Sequence, residues 1–471
     1  MEQVDVKQKA KEIAHALQEE AYGPRVTIER LIRHIGLNFV EAIFKETQEV
    51  QANGGMLIKD GSRQRSMGGV FMYLAKSKLD PEDRDRIFPN SHQRKKKKKA
   101  EAKDIPAATQ IFTPNWIVKY MVENTAGKIW LDKHPNSALK TSMKYLVENE
   151  SDVITSEANQ SLINNIEELT LIDPAAGSGH ILVEGFDLIY KMYLEEYYTP
   201  EEAVESILKN NLFGLDIDDR AAQLATFAIL LKAAKVHPAI WKKDWLPNVY
   251  AMPEAEDFSI QEIKDFLGEE GLDYLEEVEV ALRLMKQAKN LGSVMKLIIS
   301  KEARNFVESR YKEIQNTEFR DFTIEVVFQK ITNYIPVLLL LTKKYTAVVA
   351  NPPYMGQSNM NGELKNYINS NYPISKSDLY TIMIERIGEM VVHNGNYGLI
   401  TPPSWLFTIS YAKLRDQILN NHTIKSLLNF GRGVFGADFG SVSFVIKKSK
   451  NDGNKKVICR SLFIVNSYCF S

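Results

Sequence analysis

The chain has 471 residues, enough for two to four domains at roughly 100–200 residues each and ample for a buried core. Apolar content of 44%, charged content of 25%, 25 Gly and 17 Pro describe a soluble globular chain and exclude collagen-like, wholly disordered and disulfide-scaffold classes. Only two cysteines occur, Cys459 and Cys469, which excludes a disulfide frame or four-Cys zinc site in the body and makes a reducing cytoplasm the expected compartment. The apolar run 335–341 is far short of the roughly 20 residues of a spanning helix, and the first twenty residues carry no signal-peptide pattern; no membrane partner is expected.

The net charge of -1 hides segregation. Residues 1–99 carry 20 Lys+Arg against 14 Asp+Glu, a net of +6. Residues 254–279 carry 11 acids against Lys264 alone, a net of -10, and residues 343–471 carry 15 bases against 7 acids, a net of +8. Basic ends around an acidic middle suit a polyanionic partner.

In chain order, Ile28, Leu31, Ile32 and Ile35, then Phe39, Val40, Ile43 and Phe44, follow helical spacing. The stretch 53–76 (NGGMLIKDGSRQRSMGGVFMYLAK) is punctuated by glycine turns before an apolar element resumes at Val70. Residues 94–99 (RKKKKK) read as an exposed linker, either a solvated spacer or an arm touching a polyanion. A small, mainly helical domain is therefore expected over 1–90 and a basic linker over 91–104.

From 105 the pattern alternates helices with short apolar strands at 169–172, 212–215, 249–252, 347–350, 397–400, 424–429 and 442–446, as a parallel sheet covered on both faces does. The expected class is α/β, a Rossmann-like doubly wound sheet over 105–450. The charged stretch 259–335 is taken as a helical insertion between strands, and 451–471 as an atypical tail.

The sharpest motif is LTLIDPAAGSGHILVEGF, a strand, an acid, a Gly-rich turn and a helix. Gly177 and Gly179 allow close backbone approach, and the helix start offers unpaired N–H groups. The pattern is neither G-x-G-x-x-G nor a Walker loop, which argues against dehydrogenase and P-loop readings. Asp216, at the end of the next strand, is placed to accept hydrogen bonds from two ribose hydroxyls, with Ile217 packing on an adenine face; alternatively Asp216 or Asp218 caps the helix that follows. A third strand runs into Asn351-Pro352-Pro353-Tyr354. Prolines fix the backbone there. The Asn351 oxygen and the Pro352 carbonyl could then take both hydrogens of an amino group on a conjugated ring, freeing its lone pair for an electrophilic methyl, with Tyr354 stacked on the ring.

Phe112-Thr113-Pro114, the Asp173-Pro174-Ala175-Ala176-Gly177-Ser178-Gly179 turn, Asp216, Asn351-Pro352-Pro353-Tyr354 and Ser377-Asp378-Leu379-Tyr380 together resemble the ordered motifs of S-adenosylmethionine-dependent N6-adenine DNA methyltransferases of the gamma arrangement. Stretches such as IPAATQIFTPNWIVKYMVENTAGKIW are most similar to the large methyltransferases of bacterial phage-exclusion (BREX) systems. The resemblance covers about 100–450. It implies an adenine-specific site-specific DNA methyltransferase (EC 2.1.1.72 class) serving restriction-modification or phage defence, with DNA and other defence subunits as partners and S-adenosyl-L-methionine as cofactor. By it, Thr113 and Pro114 would line the methionine end; Asp173, Ala175, Gly177 and Gly179 would wrap the amino-acid and sulfonium portion; Asp216 and Ile217 would hold the adenosine; and Asp378 would begin a helix beside the methionine. Glu254 is a guess for the acid at the cofactor's adenine. The target base would have to leave the duplex.

The segment DGSRQRSMGGVF resembles the RNA-binding domain of the phosphorylated adapter for RNA export. It implies an RNA partner touched by Arg63 and Arg65, with Phe71 or Tyr73 either stacking on a single strand or filling the core. Members of the phage-exclusion family continue for hundreds of residues beyond the catalytic sheet, so a truncated or frame-shifted product is expected here. Two alternatives stay open: an RNA-binding module fused to an inert methyltransferase body, and an amino-group methyltransferase acting on RNA or protein.

Overall fold

The computed structural model describes residues 6–19, 22–57, 64–88, 113–148, 161–316, 322–432, 440–450 and 457–462. The 91–104 linker, Phe112 and Arg63 lie outside these residues, as do 451–456 and 463–471 of the tail. The chain divides into two compact units, Met1–Lys98 and Lys99–Ser471.

The first unit is helical: Val6–Ala16, Tyr22–His34, Leu37–Ala52, Met67–Lys78 and Pro81–Ile87. Its core gathers one stripe from each of the four longer helices, among them Ala10, Leu31, Val40, Ile43, Val70 and Phe71, all at most 2% exposed. Ser66 caps the fourth helix through the Gly69 N–H, and Asp80 caps the fifth through the Asp83 N–H, each satisfying an otherwise orphaned donor.

The second unit is built on an eight-stranded sheet. Its strands are β1 (Leu171–Asp173), β2 (Leu212–Asp216), β3 (Asn248–Ala251), β4 (Tyr345–Ala350), β5 (Val391–Thr401), β6 (Thr423–Arg432), β7 (Gly440–Lys447) and β8 (Ile458–Ser461), in the spatial order β3-β2-β1-β4-β5-β7-β6-β8. The run from β3 to β5 is parallel, as the alternation of strand and helix predicts. In β4 every residue is buried. Ala347 and Val349 face one core while Val348 and Ala350 face the other, so the pleat serves two helical layers at once.

Two features depart from the sequence reading. β7 runs antiparallel between β5 and β6, because the seven residues joining β6 to β7 are too few for the crossover that parallel pairing needs. β8 falls inside the expected tail and pairs parallel with β6, with Cys459 exposed. The helical stretch 259–335 lies between β3 and β4, and Ile263, Phe266, Leu282, Met285, Leu291 and Val294 join the core on one face of the sheet. Residues 335–341 form a short helix, Ile335–Thr342, buried throughout that run. No helix among the described residues is long and apolar enough to cross a membrane.

Candidate active site

The chain leaves β1 in one direction to build β2 and β3 and returns on its other side with β4, so the strand order reverses between β1 and β4. Loops at the carboxyl ends of strands flanking such a reversal diverge and leave a crevice. A cavity of about 1180 Å³, its open mouth included, occupies this position and is walled by Thr113, the 173–178 turn, Asp216, Ile217 and Asn351. Motifs 238 residues apart in sequence, at Thr113 and Asn351, thus meet at one site.

The Gly-rich turn is held from within and from β2. Asp173 ends β1 fully buried, and its Oδ1 accepts the Ala175 N–H at 3.0 Å. Burial pushes its carboxyl up to about 8 against the pull of that N–H, and Asp216 adds to the rise. Asp216 accepts the Gly177 N–H at 2.8 Å through Oδ2 and the Asp218 N–H at 2.9 Å through Oδ1, tying the tip of β2 to the turn after β1. Its carboxyl is also raised by burial, with these N–H groups opposing. A carboxylate offers about four acceptor positions, so capacity remains for ligand hydroxyls. Asp218, not Asp216, caps the helix Asp219–Val236, through the Arg220 N–H at 2.8 Å.

The two glycines of the turn divide their tasks. Gly177 has φ +53°, and a Cβ built there meets nothing within 4 Å, so it leaves space beside the cavity it lines. Gly179, at φ +82°, does not line the cavity; a Cβ there would sit 2.8 Å from Cα and Cβ of Ala225. The absence of a side chain there lets the helix His180–Glu195 approach the helix Asp219–Val236.

Asn351 leaves β4 with both ends of its carboxamide engaged. Nδ2 donates to Thr113 Oγ1 at 3.0 Å, and Oδ1 accepts from the Tyr354 hydroxyl at 3.0 Å. The Tyr354 hydroxyl also lies 3.1 Å from the Ile400 carbonyl at the end of β5. The Tyr354 hydroxyl braces Asn351, its ring packs edge-on against Tyr380 at 6.0 Å, and burial drives its phenol pKa far above the ordinary value. Pro352 is buried and Pro353 reaches the cavity wall. Pro114 precedes the helix Asn115–Val122 and donates no wall. Asp378 also stands outside the wall. Its Oδ1 accepts the Met355 N–H at 3.0 Å and the Tyr380 N–H at 3.3 Å, so it caps the helix Leu379–Met390 and clamps the segment after Tyr354. Burial raises its carboxyl to about 6 despite those N–H groups.

More of the wall comes from 290–294, inside the stretch read as an insertion, and from Leu364, Leu379 and Met383. Ser293 Oγ donates to the Pro174 carbonyl at 2.5 Å, Lys289 Nζ to the Ile217 carbonyl at 3.1 Å, and Arg386 Nε to the Ser293 carbonyl at 3.3 Å. Asn290 and Asn361 exchange amide hydrogen bonds, one of them 2.6 Å. Glu254 does not join this wall. Its side chain is 83% exposed and lies 3.6 Å from Lys289 Nζ, so the guess for an adenine-contacting acid finds no support.

In the first unit Arg65 lies with its guanidinium carbon 4.7 Å above the ring of Tyr73, which is 48% exposed, and Arg65 Nε has no hydrogen-bond partner among the described residues. Phe71 is fully buried, so of the two aromatic candidates only Tyr73 presents a surface.

Residues 210–435 match the Eco57I restriction-modification methylase family. The chain is 34% identical over 399 residues to an adenine-specific methyltransferase, BrxX, of Escherichia coli O9:H4 (strain HS), covering 77% of this chain and 32% of that protein. It is 33% identical over 418 residues to an adenine-specific methyltransferase, PglX, of Lacticaseibacillus casei (strain Zhang), covering 84% of this chain and 33% of that protein. Adenine-specific methyltransferases are its homologues. The chain spans about a third of the length of these two relatives. Residues 9–93 match the RNA-binding domain of the phosphorylated adapter RNA export protein, and the mouse protein of that name is 43% identical over 68 residues, covering 14% of this chain and 17% of that protein. The Eco57I match includes Asp216, Ile217 and Asn351 of the crevice, and the adapter match falls within the first unit.

Proposed function

We propose that the second unit transfers a methyl group from S-adenosyl-L-methionine to N6 of adenine in DNA, in a restriction-modification or phage-exclusion setting. The observation that carries this is the braced carboxamide of Asn351 at a crevice whose opposite wall is the acid-tipped Gly-rich turn. The residues present fit the cofactor. Gly177 leaves a cradle that a Cβ would fill, Asp216 keeps acceptor capacity at the tip of β2, and two buried carboxyls suit a ligand that carries positive charge. When bound, S-adenosylmethionine supplies an electrophilic methyl.

Everything else is done by the chain. Thr113 fixes which end of the Asn351 amide faces which way, because only Nδ2 can donate to a hydroxyl that accepts. On binding, the Asn351 oxygen and the Pro352 carbonyl accept the two hydrogens of the adenine amino group. That turns the nitrogen lone pair out of conjugation toward the methyl. Such preorganised acceptors act without reorganising at the moment of reaction. The proton shed by the methylated amine passes to solvent.

Incubation with tritiated cofactor and, separately, duplex DNA, RNA and protein extract tests the reading. Label in adenine of duplex DNA is the expected result; label confined to protein rejects it. The first unit is proposed to bind single-stranded RNA through Arg63, Arg65 and Tyr73.

A further inference from the structure

The loop 402–411 follows β5, whose carboxyl end lies beside that of β4 in parallel register, Ala350 opposite Leu399. It is therefore one strand away from Asn351, and the Tyr354 hydroxyl bridges from Asn351 to the Ile400 carbonyl. Five hydrogen bonds pin the loop. Trp405 is 1% exposed, and its indole N–H donates to Thr401 Oγ1 at 3.2 Å. Ser404 Oγ lies 2.7 Å from the Tyr380 hydroxyl. Arg415 Nη1 donates to the carbonyls of Trp405 and Thr408, both at 2.8 Å. The Thr408 N–H closes a turn onto the Ser404 carbonyl at 2.9 Å.

A loop held this firmly nevertheless presents two large apolar side chains to solvent: Phe407 is 69% and Ile409 is 89% exposed. Single exposed apolar residues are ordinary, but these two share one braced tip just beyond the carboxyl end of β5, the strand beside β4. The charge around them suits a polyanion. The 343–471 stretch that contains the tip carries a net of +8, and between β5 and the tip there is no Asp or Glu; the exposed Lys413 follows the tip, with Asp416 the first acid after it. A target base buried in a duplex must leave the stack before it reaches the cavity, at an unstacking cost of a few kcal/mol, and proteins that open DNA insert apolar side chains between base steps to hold the gap.

We propose that the 402–411 loop is an apolar wedge for duplex DNA, with Phe407 and Ile409 entering the stack vacated by the target adenine. This rests on the methyl-transfer reading above, and it adds the residues that keep the strand open. Asn351 acts on the amine after extrusion, and the wedge acts on the extrusion step alone.

The test uses the full chain carrying Phe407→Ser and Ile409→Ser together. Both side chains are exposed, so an unchanged melting temperature is expected. Methylated positions are first mapped in wild-type-treated genomic DNA that lacks adenine methylation. Transfer is then compared on a duplex of that sequence with the target adenine paired and on one with the adenine opposite an abasic gap. The double variant is expected to lose roughly tenfold or more on the paired duplex and to recover to within about threefold of wild type on the gapped one, since the gap removes the pairing that the wedge must overcome. Equal rates on the paired duplex, or an equal loss on both substrates, overturn the wedge. A second measurement does not depend on transfer: p-benzoylphenylalanine in place of Phe407 is expected to photo-crosslink to duplex DNA. A wild-type chain that methylates nothing yet crosslinks there defeats the methyl-transfer reading and leaves the DNA contact supported; no crosslink to DNA, or one to protein only, overturns the proposal.

Discussion

At Asn351 the decisive feature is that both ends of a single amide are already committed before any substrate arrives. Replacing Asn351 with Ala is expected to abolish transfer and leave cofactor affinity nearly unchanged, as read by calorimetry beside a radiolabel assay. Thr113→Val removes the acceptor that sets the amide's orientation while preserving shape. A lost hydrogen bond of about 0.5–1.5 kcal/mol predicts a fall in kcat of roughly three- to tenfold, and Thr113→Ser is expected to restore the rate. Asp173 makes a separate prediction in pH. Burial lifts its carboxyl from 3.8 to about 8, so between these values the folded protein holds a proton that the unfolded chain has released. Stability therefore falls as pH rises through that window and levels above it. Denaturation midpoints followed from pH 5 to 8.5 should show this decline, and Asp173→Asn should flatten it. A positively charged ligand favours the ionised carboxyl, so binding at pH 7 should release up to about one proton, visible as buffer-dependent calorimetric heats, and the same variant should abolish the dependence.

At the scale of elements, the turn between β1 and the helix His180–Glu195 offers a sharp comparison. Gly177→Ala and Gly179→Ala both place a side chain at positive φ, which costs about 1–2 kcal/mol by itself. At Gly179 the new methyl also meets backbone and side chain of Ala225 at 2.8 Å, and overpacking of that kind adds about 1–3 kcal/mol. Gly179→Ala should thus be much the less stable in a thermal melt, whereas Gly177→Ala should lose cofactor affinity out of proportion to its stability. Much of this site was legible in the sequence because a buried parallel strand is a short apolar run and its carboxyl end is marked by a change of chemistry, as at Asp173, Asp216 and Asn351. The partners of those residues were harder to read. The 290–294 wall lies within a charged helical stretch whose only visible pattern is helical, and nothing local shows that Ser293 reaches the Pro174 carbonyl. Gly179 reads as a ligand glycine because its spacing matches one, yet the neighbour that requires it is Ala225, 46 residues on. Antiparallel β7 and the edge strand β8 were hidden for a similar reason: pairing partners are set by tertiary contact, which a single strand's pattern does not encode.

Across the whole molecule, a net charge of -1 conceals a first unit and a C-terminal stretch that are both basic, set against the acidic 254–279 segment, so each unit's electrostatics must be judged alone. The Met1–Lys98 unit has its own core and its own helix caps, which predicts that it unfolds cooperatively when expressed by itself. Its exposed Tyr73, with the Arg65 guanidinium above the ring, offers a stacking face beside a fixed cation, the combination that holds unpaired bases. Binding of this fragment to single-stranded RNA should weaken linearly in log-log form with salt, at about 0.7 counterions released per phosphate contacted. Two substitutions then separate the contributions. Arg65→Ala should reduce that slope by about 0.7, because it deletes one phosphate contact, and Tyr73→Ala should leave the slope intact while costing about 1–3 kcal/mol of affinity, because stacking carries no net charge. Fluorescence anisotropy over 50–300 mM salt reads both, and an unchanged slope for Arg65→Ala with an unchanged affinity for Tyr73→Ala would remove this surface from RNA binding.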